Sequence, residues 1–219
     1  MNGKCIIITS YLESNINTNI KIGIDDYIIC ADGGFEHALK ENVIPNTVIG
    51  DFDSCSFDIL KKSIYDNDHF KEIEIIRTQP EKNDTDTFMC VKYGLDKGYK
   101  EFHIIGGLGG RIDHTLANLQ VLSFILDSGA SAWISDGKNR VTMIQGPDTI
   151  SLDCNEFDYF SIYSYTAQCK EVYEINSKYT LNNVVLTQSN PVGTSNELLD
   201  EPTVIKLTEG KLIITLSSN

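Results

Sequence analysis

The chain has 219 residues, with 18 Lys and Arg against 31 Asp and Glu, and a formal net charge of -13. Its 41% apolar and 22% charged residues exclude a fibrous or wholly disordered protein. The acidity works against nucleic acid and anionic membrane unless a basic patch compensates, and the sequence shows none, since Arg is confined to Arg77, Arg111 and Arg140. No apolar run approaches the roughly 18 residues that a membrane helix needs, and the start of the chain lacks a signal-peptide cleavage pattern. The six cysteines form no C-x-x-C pair and no zinc-type spacing. A cytoplasmic protein that binds neither nucleic acid nor membrane is expected.

In chain order, the first half alternates β-type and helical segments. Strands are predicted over 4–9, 27–31, 47–50, 72–78, 101–105 and 132–135, most of them continuous runs rich in Ile that suit parallel strands covered on both faces. Helices are predicted over 57–64, over 86–97 with Gly98 as the stop, and over 113–127 with Gly129 beyond it. This alternation predicts a doubly wound, Rossmann-like parallel sheet. After residue 137 the helical periodicity ends. Strands are predicted over 140–145, 149–152, 159–165, 170–175, 184–188, 204–207 and 212–216, the last two as a hairpin turning through Gly210. The fold class expected is therefore α/β then all-β, with domains over 1–137 and 138–219.

Four clusters punctuate the first half, each after a predicted strand: Ala31-Asp32-Gly33-Gly34, Gly50-Asp51-Phe52-Asp53-Ser54, Glu81-Lys82-Asn83-Asp84-Thr85-Asp86, and Gly106-Gly107-Leu108-Gly109-Gly110-Arg111-Ile112-Asp113-His114. In open α/β sheets ligands bind at the C-terminal ends of the strands, so the four loops are expected to converge on one crevice. Asp51 and Asp53 are one residue apart, and in a continuing strand such side chains point to one face. Asp84 and Asp86 repeat the spacing at a helix start. For each pair alone, helix capping or solvation is the stronger reading, ahead of a metal site. The repetition on one sheet edge favours a metal site, and oxygen-only ligands favour Mg²⁺.

The glycine loop is neither a P-loop nor a dinucleotide fingerprint. Gly107, Gly109 and Gly110 either form a tight turn or leave bare backbone N–H groups before a helix N-terminus, where a phosphate is favoured. Arg111 adds a forked, permanent cation that suits phosphoryl oxygens. Arg111, His114 and Asn118 share a helix face if the helix begins at Arg111, and His114 reads equally as a functional residue or as a cap or satisfied buried His. Asp32 and Gly33 form either a plain turn or a ribose or phosphate contact. In the second half, the polar loop Gly193-Thr194-Ser195-Asn196-Glu197 reads as a turn between strands.

These clusters, in this order, resemble the thiamine pyrophosphokinase family, whose pattern is an Asp-Gly-Gly turn, G-D-x-D-S, an acidic segment ending in T-D, and G-G-x-G-G-R-x-D-H. Ser195-Asn196 resembles the signature of that family's second domain. The resemblance implies transfer of pyrophosphate from ATP to thiamine with release of AMP. It also implies an α/β domain followed by a β-sandwich, in a homodimer with thiamine bound between subunits. On the residues quoted, Asp51, Asp53 and Asp86 match positions that hold Mg²⁺, with Asp84 assisting. Asp53, Asp86, Arg111 and Asp113 form the expected catalytic group. Asp32, Gly33, Gly107, Gly109, Gly110, Arg111, His114 and Asn118 are the expected nucleotide or substrate contacts, and Ser195 and Asn196 the thiamine side. Two positions depart from the family: Asn83 stands where bacterial relatives often carry Asp, and 212–216 is aliphatic where eukaryotic members place a Trp. Rival readings are a haloacid-dehalogenase-type phosphatase, built on the Asp51/Asp53 spacing, and a nucleotide-binding module without turnover.

Overall fold

The computed structural model describes residues 3–52, 72–79, 84–153 and 156–218. The chain is a mostly-sheet α/β protein that divides into two units, Met1–Gly137 and Lys138–Asn219.

The first unit runs β1 (Cys5–Ile8), α1 (Ile16–Asn19), β2 (Tyr27–Ala31), α2 (Gly34–Lys40), β3 (Thr47–Gly50), β4 (Glu74–Arg77), α3 (Asp86–Asp96), β5 (Glu101–Ile105), α4 (Ile112–Asp127) and β6 (Ser131–Ser135). Its strands lie in the order β6-β5-β1-β2-β3-β4, all parallel. On one face Ile6, Ile8, Ile28, Cys30 and Val48 form a core with Phe35 and Ala38 of α2 and with Phe52. On the other, a Cβ at Gly94 of α3 would lie 2.6 Å from the Phe102 ring and 2.8 Å from Cys5 Sγ, so α3 presses directly onto the sheet. With both faces covered, the strands carry continuous apolar runs and not an alternation. Burial pushes the Cys5 thiol up to about 12 and the Cys30 thiol further still, so both act as small hydrophobes.

Helix ends follow local chemistry. Thr85 caps α3, its side chain accepting from the Phe88 N–H at 3.2 Å, an arrangement worth about 1 kcal/mol. Gly98 and Gly129 beyond α3 and α4 have φ of 91° and 69°, the left-handed stop that glycine allows. Helix α2 was not expected, because Asp32-Gly33-Gly34 reads as a turn; its apolar spacing is short, at Phe35, Ala38 and Leu39. The predicted helix over 57–64 lies outside the described residues.

The second unit runs β7 (Asn139–Gln145), β8 (Asp148–Leu152), β9 (Tyr159–Ser164), β10 (Gln168–Ile175), β11 (Leu181–Thr187), β12 (Asn196–Glu197), β13 (Thr203–Leu207) and β14 (Lys211–Ser217). Its strands are antiparallel, in the orders β12-β9-β14-β7 and β11-β10-β13-β8. The expected terminal hairpin is therefore wrong. Gly210 does take positive φ, at 97°, but β13 pairs with β10 and β8 while β14 pairs with β7 and β9. Both strands bury alternate residues, Ile205 and Leu207 in one, Leu212, Ile214 and Leu216 in the other. That pattern suits either set of partners, so periodicity could not choose between them.

Among the described residues of this unit one carboxyl group is buried. Glu174 of β10 is 2% exposed. Its carboxyl rises from 4.5 to about 7 because burial disfavours the charged form, partly offset by a hydrogen bond from Asn196.

Two outcomes follow. Gly34→Ala places a Cβ 2.1 Å from the Ile8 carbonyl oxygen, and denaturant unfolding is expected to show a loss of about 1–3 kcal/mol. For Glu174, the native state holds its proton more tightly than the unfolded chain, so its stabilising contribution is complete below pH 4.5 and is lost as pH rises through about 7. The melting temperature of the wild type relative to Glu174→Gln should fall across that window and level off above it.

Candidate functional site

The chain runs outward from β1 through β2, β3 and β4, then returns to place β5 on the other side of β1. That reversal makes the C-terminal ends of β1 and β5 the topological switch point of the sheet, the place where parallel α/β sheets take ligands. The residues found there are 9–11 and the glycine loop. The Gly107 N–H donates to the Tyr11 carbonyl at 2.8 Å, and the Gly106 N–H to the Ser135 carbonyl at 2.7 Å. Gly106, Gly107, Gly109 and Gly110 have φ of 86°, 75°, 83° and 59°. Space demands glycine as much as φ does: a Cβ at Gly106 would sit 2.3 Å from the Tyr11 carbonyl oxygen, one at Gly107 2.4 Å from Asn118 Nδ2, and one at Gly110 2.7 Å from the Tyr11 ring.

Three side chains brace this loop. Asn118, 5% exposed, donates through Nδ2 to the Gly107 carbonyl at 2.8 Å. Thr115 Oγ1 accepts from the Gly109 N–H at 3.1 Å. Tyr11 backs the loop with its ring, and its hydroxyl donates to Glu13, which holds the phenol above its ordinary range. Tyr11 and Thr115 were not expected from the sequence, where nothing separates them from other polar residues near strand and helix ends.

Arg111 is the residue before α4, in extended conformation. The expected shared face of Arg111, His114 and Asn118 is thus not formed: the helix starts one residue later, and Asn118 turns inward to the loop. Arg111 is instead forked onto Asp113, with Nη2 to Oδ2 at 2.5 Å and Nε to Oδ1 at 3.1 Å. The hydrogen bond to Asp113 raises the Arg111 guanidinium, and that from Arg111 holds the Asp113 carboxyl below its usual range. Asp113 Oδ1 also accepts from the His114 N–H at 3.0 Å. Arg111, Asp113 and His114 are thereby brought together, all exposed, at the mouth of the glycine loop.

The acidic clusters are built differently from the strand alternation expected. Strand β3 ends at Gly50, and Phe52 turns left-handed at φ 53° with its ring 5% exposed in the core. Asp51 therefore precedes a core-anchored turn; Asp53 lies outside the described residues. Asp32, at φ 43°, donates its N–H to the Ile49 carbonyl at 2.8 Å. A Cβ on Gly50 would meet the Asp32 carboxylate at 2.8 Å, so Asp32 is brought beside the Gly50-Asp51 backbone. Gly33 leads into α2, whose Glu36 N–H bonds its carbonyl at 3.1 Å. Asp84 is ion-paired with Lys92 at 2.6 Å, and Asp86 opens α3 after the Thr85 cap. Capping is thus the work of Thr85 and not of either aspartate. Among the described residues no three His, Cys, Asp or Glu side chains gather as a metal site.

In the second unit, Ser195 is exposed at φ 58°, and its N–H donates to Ser161 Oγ at 3.0 Å. Asn196 is 4% exposed. Its Nδ2 donates to Glu174 Oε2 at 2.9 Å and to the Tyr179 carbonyl at 2.6 Å, while Oδ1 accepts from the N–H groups of Tyr179 at 3.0 Å and Glu197 at 2.9 Å. An amide has two donors and two acceptor sites, so Asn196 has nothing left for a ligand. Of the expected pair, only Ser195 faces solvent.

Residues 22–146 match the family model described as thiamin pyrophosphokinase, catalytic domain, and residues 148–212 match that described as thiamin pyrophosphokinase, vitamin B1 binding domain. The chain belongs to the thiamine pyrophosphokinase family. It is 28% identical over 193 residues to a thiamine pyrophosphokinase of Bacillus subtilis (strain 168), covering 87% of each chain. It is 27% identical over 198 residues to thiamin pyrophosphokinase 1 of Caenorhabditis elegans, covering 82% of this chain and 74% of the other. The crystal structure of thiamine pyrophosphokinase from Bacillus subtilis shares the fold, with a TM-score of 0.86 at 24% identity over 99% of this chain and 100% of that one. The haloacid-dehalogenase reading is left without support.

For a member of this family, loosening the glycine loop should weaken nucleotide binding. Steady-state kinetics on Tyr11→Ala should show the KM for ATP rising several-fold. Tyr11→Phe, which keeps the ring against Gly110, should stay near wild type.

Proposed function

We infer that this enzyme transfers the pyrophosphoryl group of ATP to the hydroxyethyl oxygen of thiamine, releasing thiamine diphosphate and AMP. The observation that carries this is the pair of consecutive matches, catalytic domain and then vitamin B1 binding domain, which together run from residue 22 to residue 212. In the reaction the thiamine hydroxyl oxygen forms a bond to the β-phosphorus, the bond from that phosphorus to the α–β bridging oxygen breaks, AMP leaves with the bridging oxygen, and the hydroxyl proton passes to a carboxylate. Catalysis of this kind is mostly positioning and charge neutralisation.

The start of α4 after the glycine loop and Arg111 suit the phosphates, while the Gly106, Gly107 and Gly109 N–H groups are used within the protein to shape the loop. The loop is pre-set by Tyr11, Thr115 and Asn118, and the Arg111 fork is already oriented by Asp113, so little ordering remains to be done when a phosphate replaces that partner. His114 stands next to them, and Asp32 and Gly33 follow β2, which lies on the other side of β1 from β5. Asp51, Asp53 and Asp86 form an oxygen-only donor set, whose chemistry fits Mg²⁺. Asp84, paired with Lys92, is the least suited of the acidic residues to join them. A bound Mg²⁺ supplies neutralisation of the charge on the transferring phosphoryl group. Asp53, Asp86, Arg111 and Asp113 are the catalytic group in this reading.

The second unit, with two antiparallel sheets, is read as a β-sandwich that supplies Ser195 to thiamine in a homodimer whose thiamine site lies at the subunit interface. The first unit is read as a Rossmann-like nucleotide domain. The described cysteines Cys5, Cys30, Cys90 and Cys169 are buried and form no disulfide, which supports the reading of a reducing, cytoplasmic setting. Among the described residues no helix is long and apolar enough to cross a membrane.

Purified protein incubated with ATP, Mg²⁺ and thiamine should yield thiamine diphosphate and AMP in equal amounts; free phosphate with no AMP would overturn the assignment. Asp53→Asn should lose at least about a hundredfold in kcat while its circular dichroism is unchanged. Arg111→Lys should be impaired in the same assay, because an ammonium cannot bridge two phosphoryl oxygens.

A further inference from the structure

The buried carboxyl of Glu174 has no part in the chemistry above and no ion-pair partner to justify its burial. Its Oε1 is buried and makes no hydrogen bond, while Oε2 accepts only from Asn196 Nδ2 at 2.9 Å. The nearby cation Lys178 is engaged elsewhere, with Glu197 at 2.5 Å. Burying a carboxyl with half its capacity unused is costly, and an apolar residue of similar size packs there at less cost. What Glu174 does accomplish is to complete the bonding of Asn196.

Asn196 in turn is a lock. All four of its amide positions are filled, by Glu174, Tyr179 twice and Glu197. Its strand is stitched on one side to β9, through Asn196 opposite Phe160. On the other side it joins the turn after β10, through the Lys178 N–H to the Glu197 carbonyl at 3.2 Å. Directly before it stands Ser195, exposed and left-handed at φ 58°. A non-glycine residue in that region is strained and persists only where its surroundings over-determine it. The loop is pinned at its other end too, where the Gly193 carbonyl accepts from the Ile162 N–H at 2.8 Å. Of the residues between the two pins, Thr194 turns its hydroxyl back to the Pro191 carbonyl at 2.9 Å, leaving Ser195 to face outward.

We propose that Glu174 is a positioning residue for the acceptor loop: by holding Asn196 it fixes the backbone that presents Ser195, and so governs the affinity for thiamine. This rests on the reading that Ser195 belongs to the thiamine site.

The test compares Ser195→Ala, Glu174→Leu and Glu174→Gln for kcat, for the KM of thiamine and of ATP, and for melting temperature. Ser195→Ala should raise the thiamine KM by about fivefold or more, the loss of one hydrogen bond. Glu174→Leu removes the acceptor for Asn196 and should raise the thiamine KM by a similar factor, with kcat and the ATP KM near wild type. Glu174→Gln keeps an oxygen for Asn196 Nδ2 and should restore the thiamine KM. A thiamine KM unmoved by Glu174→Leu but raised by Ser195→Ala overturns the proposal and leaves the site reading intact. If Ser195→Ala has no effect, the site reading falls and the proposal with it. Equal rises in both KM values for Glu174→Leu, or a Glu174→Gln enzyme as impaired as Glu174→Leu, also overturn it. Should Glu174→Leu fail to fold, Glu174→Asp decides the matter: its shorter carboxylate falls short of Asn196, so a selective rise in the thiamine KM supports the proposal and an unchanged one overturns it.

Discussion

Strands β1 and β5 lie side by side because the chain reverses direction across the sheet between them, and their two exits must share one narrow space. The hydrogen bond from the Gly107 N–H to the Tyr11 carbonyl, 2.8 Å long, closes that space. Backbone meets backbone so tightly there that a Cβ at Gly106 would stand 2.3 Å from the same carbonyl oxygen. The positive φ values of the glycines, the inward turn of Asn118 and the place where α4 begins all follow from that approach. The Gly106, Gly107 and Gly109 N–H groups are spent inside the protein on this closure, so what the constrained loop fixes for an anion is the start of α4 and not a row of bare glycine N–H groups.

Charge is handled locally throughout. With a formal net charge of -13, the protein attracts no anion by its overall field, and the useful cation has to be held in place. Arg111 is held by Asp113 in a two-point fork, both side chains well exposed. Such a pair in water adds little stability. Its consequence is orientation: the guanidinium is held in one position beside Asp113. Asp84 shows the opposite arrangement, with its charge taken up by Lys92 on the next turns of α3.

The second unit uses burial where the first uses backbone approach. Glu174 and Asn196 give up solvation to hold a two-residue strand in place, and the strained serine beside them is the visible result. Both units thus pre-set a loop by tertiary means. One does so with glycines where no side chain fits, the other with a saturated amide.

Much of this was legible in the sequence. Strands 27–31, 47–50 and 101–105 were placed to the residue, and helices α3 and α4 to within one, because Ile-rich runs and the glycine stops after α3 and α4 act through local backbone preference. The glycine loop and its Arg, Asp and His were likewise legible as a string, since they are consecutive in the chain. Tertiary structure alone decided that β13 and β14 join different sheets, because alternating burial is satisfied by any partner with an uncovered apolar face. It alone turned Asn118 and Asn196 inward, because an amide's role depends on which carbonyls and N–H groups come within 3 Å from distant parts of the chain. It also made Tyr11 part of the site and broke the alternation at Phe52, where burying one ring in the core outweighed continuing the strand. Local preference is written in a few neighbouring residues; the choice among distant partners is settled only when the whole core is packed.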